Sequence, residues 1–438
     1  MPLFFRKPPN RKRLSKVVAT QRQVDIPASR ARIGMHVVGL DRPWEQVPVL
    51  FQSFVIHNPE QVEILRTHCQ WITVERTAWT EQVAREALAH LKATAAGSDF
   101  EAKRPLAEEL PHAIRRYRDA QTYIDDLLDR VADGRELPLE QARTIVRNCI
   151  NSISSNPNAM FWLTRIRHRD AYTAEHCVRV GILSITFGRF IGLSEQQLET
   201  VGLSGMLHDV GKMRVPPEIL NKPGALSPEE WQVMRRHAEY GFKLLTSDHQ
   251  VEPDVQQAAL SHHERLDGKG YPQALSAPAI SQFTRMVSIV DAYDAMTSDR
   301  TYRKGIPTSE ALRIIYKNRG GQFDDLLVEA FIRMIGIYPP GSLVELHTGE
   351  IAVVLATSPR NKLHPLVEVV VDRHGHPCRS RVLNLGESPD DDEGVTYTIR
   401  RALPDGVAGF SLAEHIRHQS DPARPRPRPR PATKPEPR

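Results

Sequence analysis

Residues 261–272 read Ser-His-His-Glu-Arg-Leu-Asp-Gly-Lys-Gly-Tyr-Pro. Two adjacent imidazoles (His262, His263) are followed by the acids Glu264 and Asp267 and then by Gly268, Gly270 and Pro272. The pattern is too long and too mixed in composition to be a chance run. The glycines and the proline force a defined turn.

Working outward, three further histidines fall in settings that suit metal ligation. His237 lies in LSPEEWQVMRRHAEYGFKLL, read as one helix on which it shares a stripe with Met234, Gly241 and Leu244. His208 and Asp209 close an apolar helix (Leu203, Met206, Leu207, Val210), with Lys212 three residues beyond the acid. His176 stands in DAYTAEHCVRV. Downstream, Asp291 follows Ile289-Val290, and Asp294 lies one turn on along the same helical face. A carboxylate in an apolar setting must be paired or bind metal. The other histidines, among them His57, His112, His168 and His249, carry no such pattern and are assigned no chemistry.

Five imidazoles and two carboxylates exceed what one four-coordinate ion can use. They suit two ions that share a bridging carboxylate. With no thiolate in the set, Fe or Mn is expected first and Zn or Co second. Two such ions about 3.5–4 Å apart clamp a phosphoryl group and generate hydroxide at neutral pH.

Composition agrees with an ordinary globular protein: 438 residues, 40% hydrophobic and 25% charged. No run approaches the roughly 18 apolar residues of a membrane span, and MPLFFRKPPNRKRLSK lacks the apolar core of a secretory signal. Cys69, Cys149, Cys177 and Cys378 are scattered and read as reduced thiols of a cytoplasmic protein. Residues 1–16 carry +6 and residues 419–438 carry +4, whereas the whole chain is +5, so residues 17–418 sum to −5. An acidic body argues against specific nucleic-acid binding, which needs a positive face.

The expected fold class is mainly α: an all-helical domain carrying these residues, with a small N-terminal α/β domain and a small C-terminal β appendage. A basic flexible tail covers 1–23. Residues 24–77 form the α/β domain, with IGMHVVGL (33–40) and HCQWITVE (68–75) as strands flanking a helix over 60–68. A helical connector follows over 78–150, then the catalytic domain over 151–335. Capping boxes at Ser194–Gln197 and Ser227–Glu230, the latter with Pro228 at the first helical position, open two of its helices. Residues 336–402 alternate as strands SLVEL, EIAVVLA and PLVEVVVD, with turns at Gly349 and Gly375. The Pro/Arg-rich remainder, 403–438, cannot bury a core and is expected to be disordered.

The ordered series H…HDxGK…H…HHExxDGxGYP…DxxD…RxYR resembles the HD-GYP family of HD phosphohydrolases over roughly 151–335, and residues 24–77 resemble a domain of unknown function found ahead of such domains. The resemblance implies a phosphodiesterase that hydrolyses the bacterial messenger cyclic di-GMP to linear pGpG, in some members onward to GMP. Diguanylate cyclases are candidate signalling partners. It implies His176, His208, Asp209 and Asp291 as ligands of one metal and His237, His262 and His263 as ligands of the other, with Asp209 bridging. Lys212, Tyr271, Asp294, Arg300 and Arg303 match substrate-site positions, and Asp209 and Lys212 the catalytic ones. The chemistry agrees: Lys212 can meet developing charge, and the forks of Arg300 and Arg303 suit phosphate oxygens. Glu264 and Asp267 are read as residues that structure the loop or orient ligands.

One position departs from the family. Some members bind a third metal through a Glu one turn before the first histidine, where this chain has Tyr172; two metals are expected. Two alternatives share the ligand set: an HD-type hydrolase of another nucleotide, and a non-catalytic cyclic di-GMP sensor or scaffold.

Overall fold

Short strands rich in β-branched residues build the first part of the chain. In the computed structural model, the described residues are 23–32, 35–42, 47, 54–56, 59–75, 102–135, 137–165, 172–247, 251–298, 305–358, 361–387, 390, 394, 396–403, 407, 410 and 415. The chain forms two units, Met1–Ala89 and His90–Arg438. In the first, β1 (Gln23–Pro27), β2 (His36–Leu40), β3 (Phe54–Val55) and β4 (Trp71–Glu75) form an antiparallel sheet in the order β1-β4-β2-β3, and α1 (Pro59–His68) precedes β4. The two strands and the helix read from sequence are β2, β4 and α1. β1 escapes sequence reading because Asp25 and Pro27 interrupt its short apolar alternation. Val37, Ile56, Leu65 and Ile72 are the core of this unit.

The described part of the second unit opens on α2 (Leu106–Ala132), α3 (Leu139–Ser155) and α4 (Pro157–Leu163). It continues through α5 (Tyr172–Phe190), α6 (Glu195–Leu207), a 3₁₀ turn (Val210–Arg214), α7 (Pro217–Leu220), α8 (Pro228–Arg235), α9 (His237–Thr246) and α10 (Pro253–Ser261). The last helices are α11 (Gln282–Thr297), α12 (Thr308–Lys317) and α13 (Asp325–Ile335). Both capping boxes form: Ser194 with Gln197 at α6, and Ser227 with Glu230 at α8, where Pro228 takes the first helical position.

Helices α2 and α3 fall in the stretch expected to be a connector, yet they are walls of the helical core. Leu110, Ala113, Tyr117, Ala120, Ile124, Leu127 and Val131 recur at three- and four-residue spacing and pack in one cluster with Cys177, Ile182, Met206 and Ala259.

Among the described residues five antiparallel strands follow: β5 (Leu343–Leu346), β6 (Ile351–Ser358), β7 (Asn361–Val371), β8 (Pro377–Asn384) and β9 (Ile399–Leu403), in the order β8-β7-β6-β5-β9. Strand alternation divides their side chains between two cores. Leu343, Ile351, Val353, Leu355 and Val371 join the helical cluster, whereas Val344, Ala352, Val354, Val367 and Val369 pack with Leu385 and Tyr397. Trp162 Nε1 donates to the Val354 carbonyl at 2.9 Å, tying α4 to β6. The sheet is the small C-terminal β structure expected from the sequence, and part of its side chains pack on the helical body. Strand β8 is largely exposed and polar, which hides it from a hydrophobicity reading. No described helix is long and apolar enough to cross a membrane. The tails lie outside the described residues, apart from the few positions given above.

Candidate metal centre

Five helices, with the turns that follow two of them, bring the chemistry-bearing residues together. α5 carries His176 on its second turn. α6 ends at Leu207, so His208 caps it and Asp209 begins the 3₁₀ turn that follows. That tight turn folds Lys212 back so that its Nζ donates to Asp209 Oδ2. Gly211 is required by a close approach: a Cβ there would lie 2.0 Å from the His237 carbonyl oxygen and 2.3 Å from the Gly241 nitrogen. The backbone of the turn thereby rests directly on α9.

His237 was expected within a single helix, but the chain breaks at Arg236 and His237 opens α9. The two halves bury different faces. α8 has no fully buried residue, while α9 buries His237, Ala238, Gly241 and Leu245. His262 caps α10 and His263 follows it. The loop behind them folds against the Glu264 backbone, where a Cβ on Gly270 would lie 2.4 Å from the Glu264 Cα. Glu264 is buried and accepts from the backbone N–H groups of Gln273 (2.7 Å) and Leu275 (2.9 Å), as a loop-structuring acid should. Asp267 pairs with Arg265 at 2.8 Å and accepts from the Lys269 N–H at 3.2 Å. α11 supplies Asp291 and Asp294.

The two oxygens of Asp209 face two different groups of histidines. Oδ2 lies 3.3 Å from His208 Nε2 and 3.6 Å from His176 Nε2. His176 Nε2 is also 3.1 Å, and His208 Nε2 3.8 Å, from Asp291 Oδ1. Oδ1 lies 3.4 Å from His237 Nε2 and 3.7 Å from His262 Nε2. Three sets of donor atoms each gather within 4.8 Å: His176/His208/Asp291, His208/Asp209/His262 and His237/His262/His263.

Backbone contacts fix which ring nitrogens are free. Nδ1 of His208 and of His237 donates to the Gly205 and Met234 carbonyls, both at 2.8 Å, and Nδ1 of His262 to the Ala258 and Ala259 carbonyls at 3.1 Å. A carbonyl can only accept, so in each neutral ring the lone pair is on Nε2. The Nε2 atoms of His237 and His262 then point lone pairs at each other across 3.3 Å. His208 Nε2 and Asp209 Oδ1 are buried without a hydrogen-bond partner. Facing lone pairs and an orphaned carboxylate oxygen are the environment a cation satisfies, and the nitrogen and oxygen donors fit borderline divalent ions.

Electrostatics agree. Burial pushes His262 well below the ordinary imidazole range, lowers His237, and takes His263 down to about 3 with help from His237. Burial opposes charge on Asp209, but Lys212 and His208 hold it well below the usual carboxylate range. His176 moves the other way: hydrogen bonds to Asp291 and Asp294 outweigh the burial that would lower it.

Asp294 requires a correction. It was expected among the substrate contacts, but it is buried behind His176, with Oδ2 2.7 Å from His176 Nδ1 and both oxygens held by Arg179. A carboxylate so enclosed orients a ring and does not meet a ligand. Arg179 itself was missed. Its signal was a charge inside the apolar run His176–Leu183, which demands a buried partner. Tyr271 stacks on His263 at 4.7 Å between centroids. Arg300 and Arg303 lie outside the described residues, as does the Tyr172 side chain.

Residues 147–327 match the HD domain family, 23–142 the domain of unknown function DUF3391, and 343–390 a KOW domain associated with HD domain. A cyclic di-GMP phosphodiesterase of Pseudomonas aeruginosa is 35% identical over 378 residues, 85% of this chain and 91% of the relative. One of Thermotoga maritima is 33% identical over 262 residues, 56% of this chain and 67% of the relative. A 3′3′-cGAMP-specific phosphodiesterase of Vibrio cholerae is 32% identical over 173 residues, 39% of this chain and 37% of the relative.

Proposed function

We propose that this chain, which belongs to the HD-GYP family of HD-domain phosphohydrolases, hydrolyses cyclic di-GMP to linear pGpG at a two-metal centre. The observation that carries the reading is the placement of Asp209, whose two oxygens address separate clusters of Nε2 atoms. His176, His208, Asp209 and Asp291 would hold one ion, and His237, His262 and His263 the other, with Asp209 shared. Once bound, two such ions polarise a phosphodiester and lower the pKa of water.

The protein's own groups supply the rest. Nδ1 contacts to carbonyls and to Asp294 lock the rings of His176, His208, His237 and His262, so these four imidazoles need not reorient when substrate arrives. Lys212, partly exposed beside Asp209, offers a cation where charge develops on phosphate oxygens. Tyr271 walls the side of His263. A cytoplasmic location is supported by the four cysteines, all of which are free.

The test is hydrolysis of cyclic di-GMP by purified, metal-replete protein, followed by chromatography with metal quantified per chain. Asp209→Ala should abolish turnover and lower occupancy of both ions while the fold persists by circular dichroism. Substantial activity in that folded variant would remove Asp209 from the centre.

A further inference from the structure

Helix α8 is a surface helix without a fully buried residue, yet it carries Trp231, 45% exposed. Among the exposed large hydrophobic side chains described, this is the one whose ring meets the aromatic stack on the metal centre. Trp231 stands edge-on to Tyr271 (6.0 Å, 76°), and Tyr271 stacks on His263 (4.7 Å, 27°). One turn along α8, the guanidinium of Arg235 lies 4.5 Å from the Tyr271 ring centroid. His263 and Arg235 thus both pack on Tyr271, and Trp231 beside them keeps nearly half of its surface exposed. Arg235 has no hydrogen-bond or ion-pair acceptor among the described residues, although its fork can donate five hydrogen bonds.

We propose that Trp231 and Arg235 form a guanine-reading wall beside the centre, with one base of the cyclic dinucleotide on the indole and its O6/N7 edge on the guanidinium. The proposal rests on the reading of the chain as a cyclic di-GMP phosphodiesterase and adds how it selects the base. Trp231 is the second ring out from His263, and a base lies one sugar away from its phosphate. Stacking tolerates any base, so Trp231 contributes affinity without discrimination. Arg235 supplies discrimination. Guanine presents two acceptors along its O6/N7 edge, whereas adenine presents a donor amino group beside N7, which repels a group that can only donate. The relatives named for 3′3′-cGAMP act on a dinucleotide in which one guanine is replaced by adenine, so with that substrate the wall decides which of the two bases, and with it which phosphodiester, is placed at the centre.

The experiment uses full-length, metal-replete protein. Rates with cyclic di-GMP and with 3′3′-cGAMP, and the phosphodiester opened in the latter, are compared for wild type, Trp231→Ala, Trp231→Phe and Arg235→Gln, together with melting temperature and metal content. Trp231→Ala should raise KM about tenfold for both substrates, and Trp231→Phe should recover most of the loss. Wild type should open 3′3′-cGAMP at one of its two phosphodiesters, the one that places its guanine on the wall, and Arg235→Gln should lower that preference about tenfold. In both cases metal content should stay at the wild-type value, which separates the wall from the ligand shell. Unchanged KM in Trp231→Ala, or an unchanged preference in Arg235→Gln, overturns the proposal while leaving the hydrolase reading intact. If wild type cleaves neither dinucleotide, the hydrolase reading fails and calorimetric titration with cyclic di-GMP judges the wall. Binding that both substitutions weaken upholds it. Absent binding, or binding they leave unchanged, overturns it.

Discussion

Arg179 grips Asp294 with two hydrogen bonds, Nε to Oδ1 at 2.8 Å and Nη2 to Oδ2 at 3.0 Å, while Asp294 Oδ2 also holds His176 Nδ1. Both charges are buried, and Arg179 further pairs with Glu175 at 3.2 Å. Removing the cation strands two buried carboxylates. Arg179→Ala should therefore destabilise the metal-free protein by about 3–5 kcal/mol. It should also weaken metal retention, because His176 loses its anchored acceptor. Arg179→Lys returns the charge without the planar fork and should recover only part of either quantity. Urea unfolding and metal analysis read the two effects. Wild-type stability together with full metal content in Arg179→Ala would show that the pair is dispensable.

Gly211→Ala tests the seam between the 3₁₀ turn and α9. The added Cβ would collide with backbone atoms of His237 and Gly241, which cannot swing aside as a side chain does. Overpacking of this kind costs about 1–3 kcal/mol. The strain falls on the contact that sets Asp209 Oδ1 3.4 Å from His237 Nε2. The expected result is a lower melting temperature together with loss of metal chiefly from the His237 cluster. A variant with unchanged melting and unchanged metal content would place the seam's role elsewhere.

Much of this centre was legible because its residue types are improbable where they stand. His208 and Asp209 close an apolar helix, and His262 and His263 precede a loop stiffened by Gly268, Gly270 and Pro272; the structure gathers them. Two things were not legible. Spacing placed Asp294 on the face of Asp291 but could not say that Arg179, from a distant helix, would enclose it. Nor did helical periodicity show the break at Arg236, since the run from Pro228 to Leu245 reads without interruption. The role of α2 was present as an apolar stripe, but a polar composition outweighed it in the reading of 78–150. In each case the missing information is a contact between elements far apart in sequence.

Thiol reactivity offers an independent check on the fold. Cys69, Cys149 and Cys177 are buried, while Cys378 is half-buried on β8. Burial pushes the Cys149 thiol up to about 12 and raises Cys177, Cys69 and, least enclosed of the four, Cys378. The thiolate is the reactive form, so raising the pH toward 9 should accelerate labelling of Cys378 and leave Cys149 and Cys177 protonated. A chromogenic disulfide reagent should titrate one thiol rapidly in the native protein and all four in denaturant. Fast labelling of Cys149 or Cys177 under native conditions would contradict the helical core drawn around them.

The final prediction concerns how far hydrolysis proceeds. Opening the ring needs one phosphodiester on two ions, and the seven proposed ligands account for that. Carrying pGpG on to GMP requires the enzyme to hold a linear product with an additional terminal phosphate charge. A third cation near His176 would help neutralise that charge. The family members that bind one use a carboxylate one helical turn before the first histidine, the place where Tyr172 opens α5 in this chain. A phenol with its ordinary pKa of about 10 is a poor ligand for a divalent ion at neutral pH. Accordingly pGpG should accumulate as the main early product, with GMP following slowly. Tyr172→Glu should raise the metal content per chain and shorten the life of pGpG. Time-resolved chromatography with parallel metal analysis reads both. Three tightly held metals in the unaltered protein, or GMP appearing without a pGpG lag, would break the link drawn between the third cation and the second cleavage.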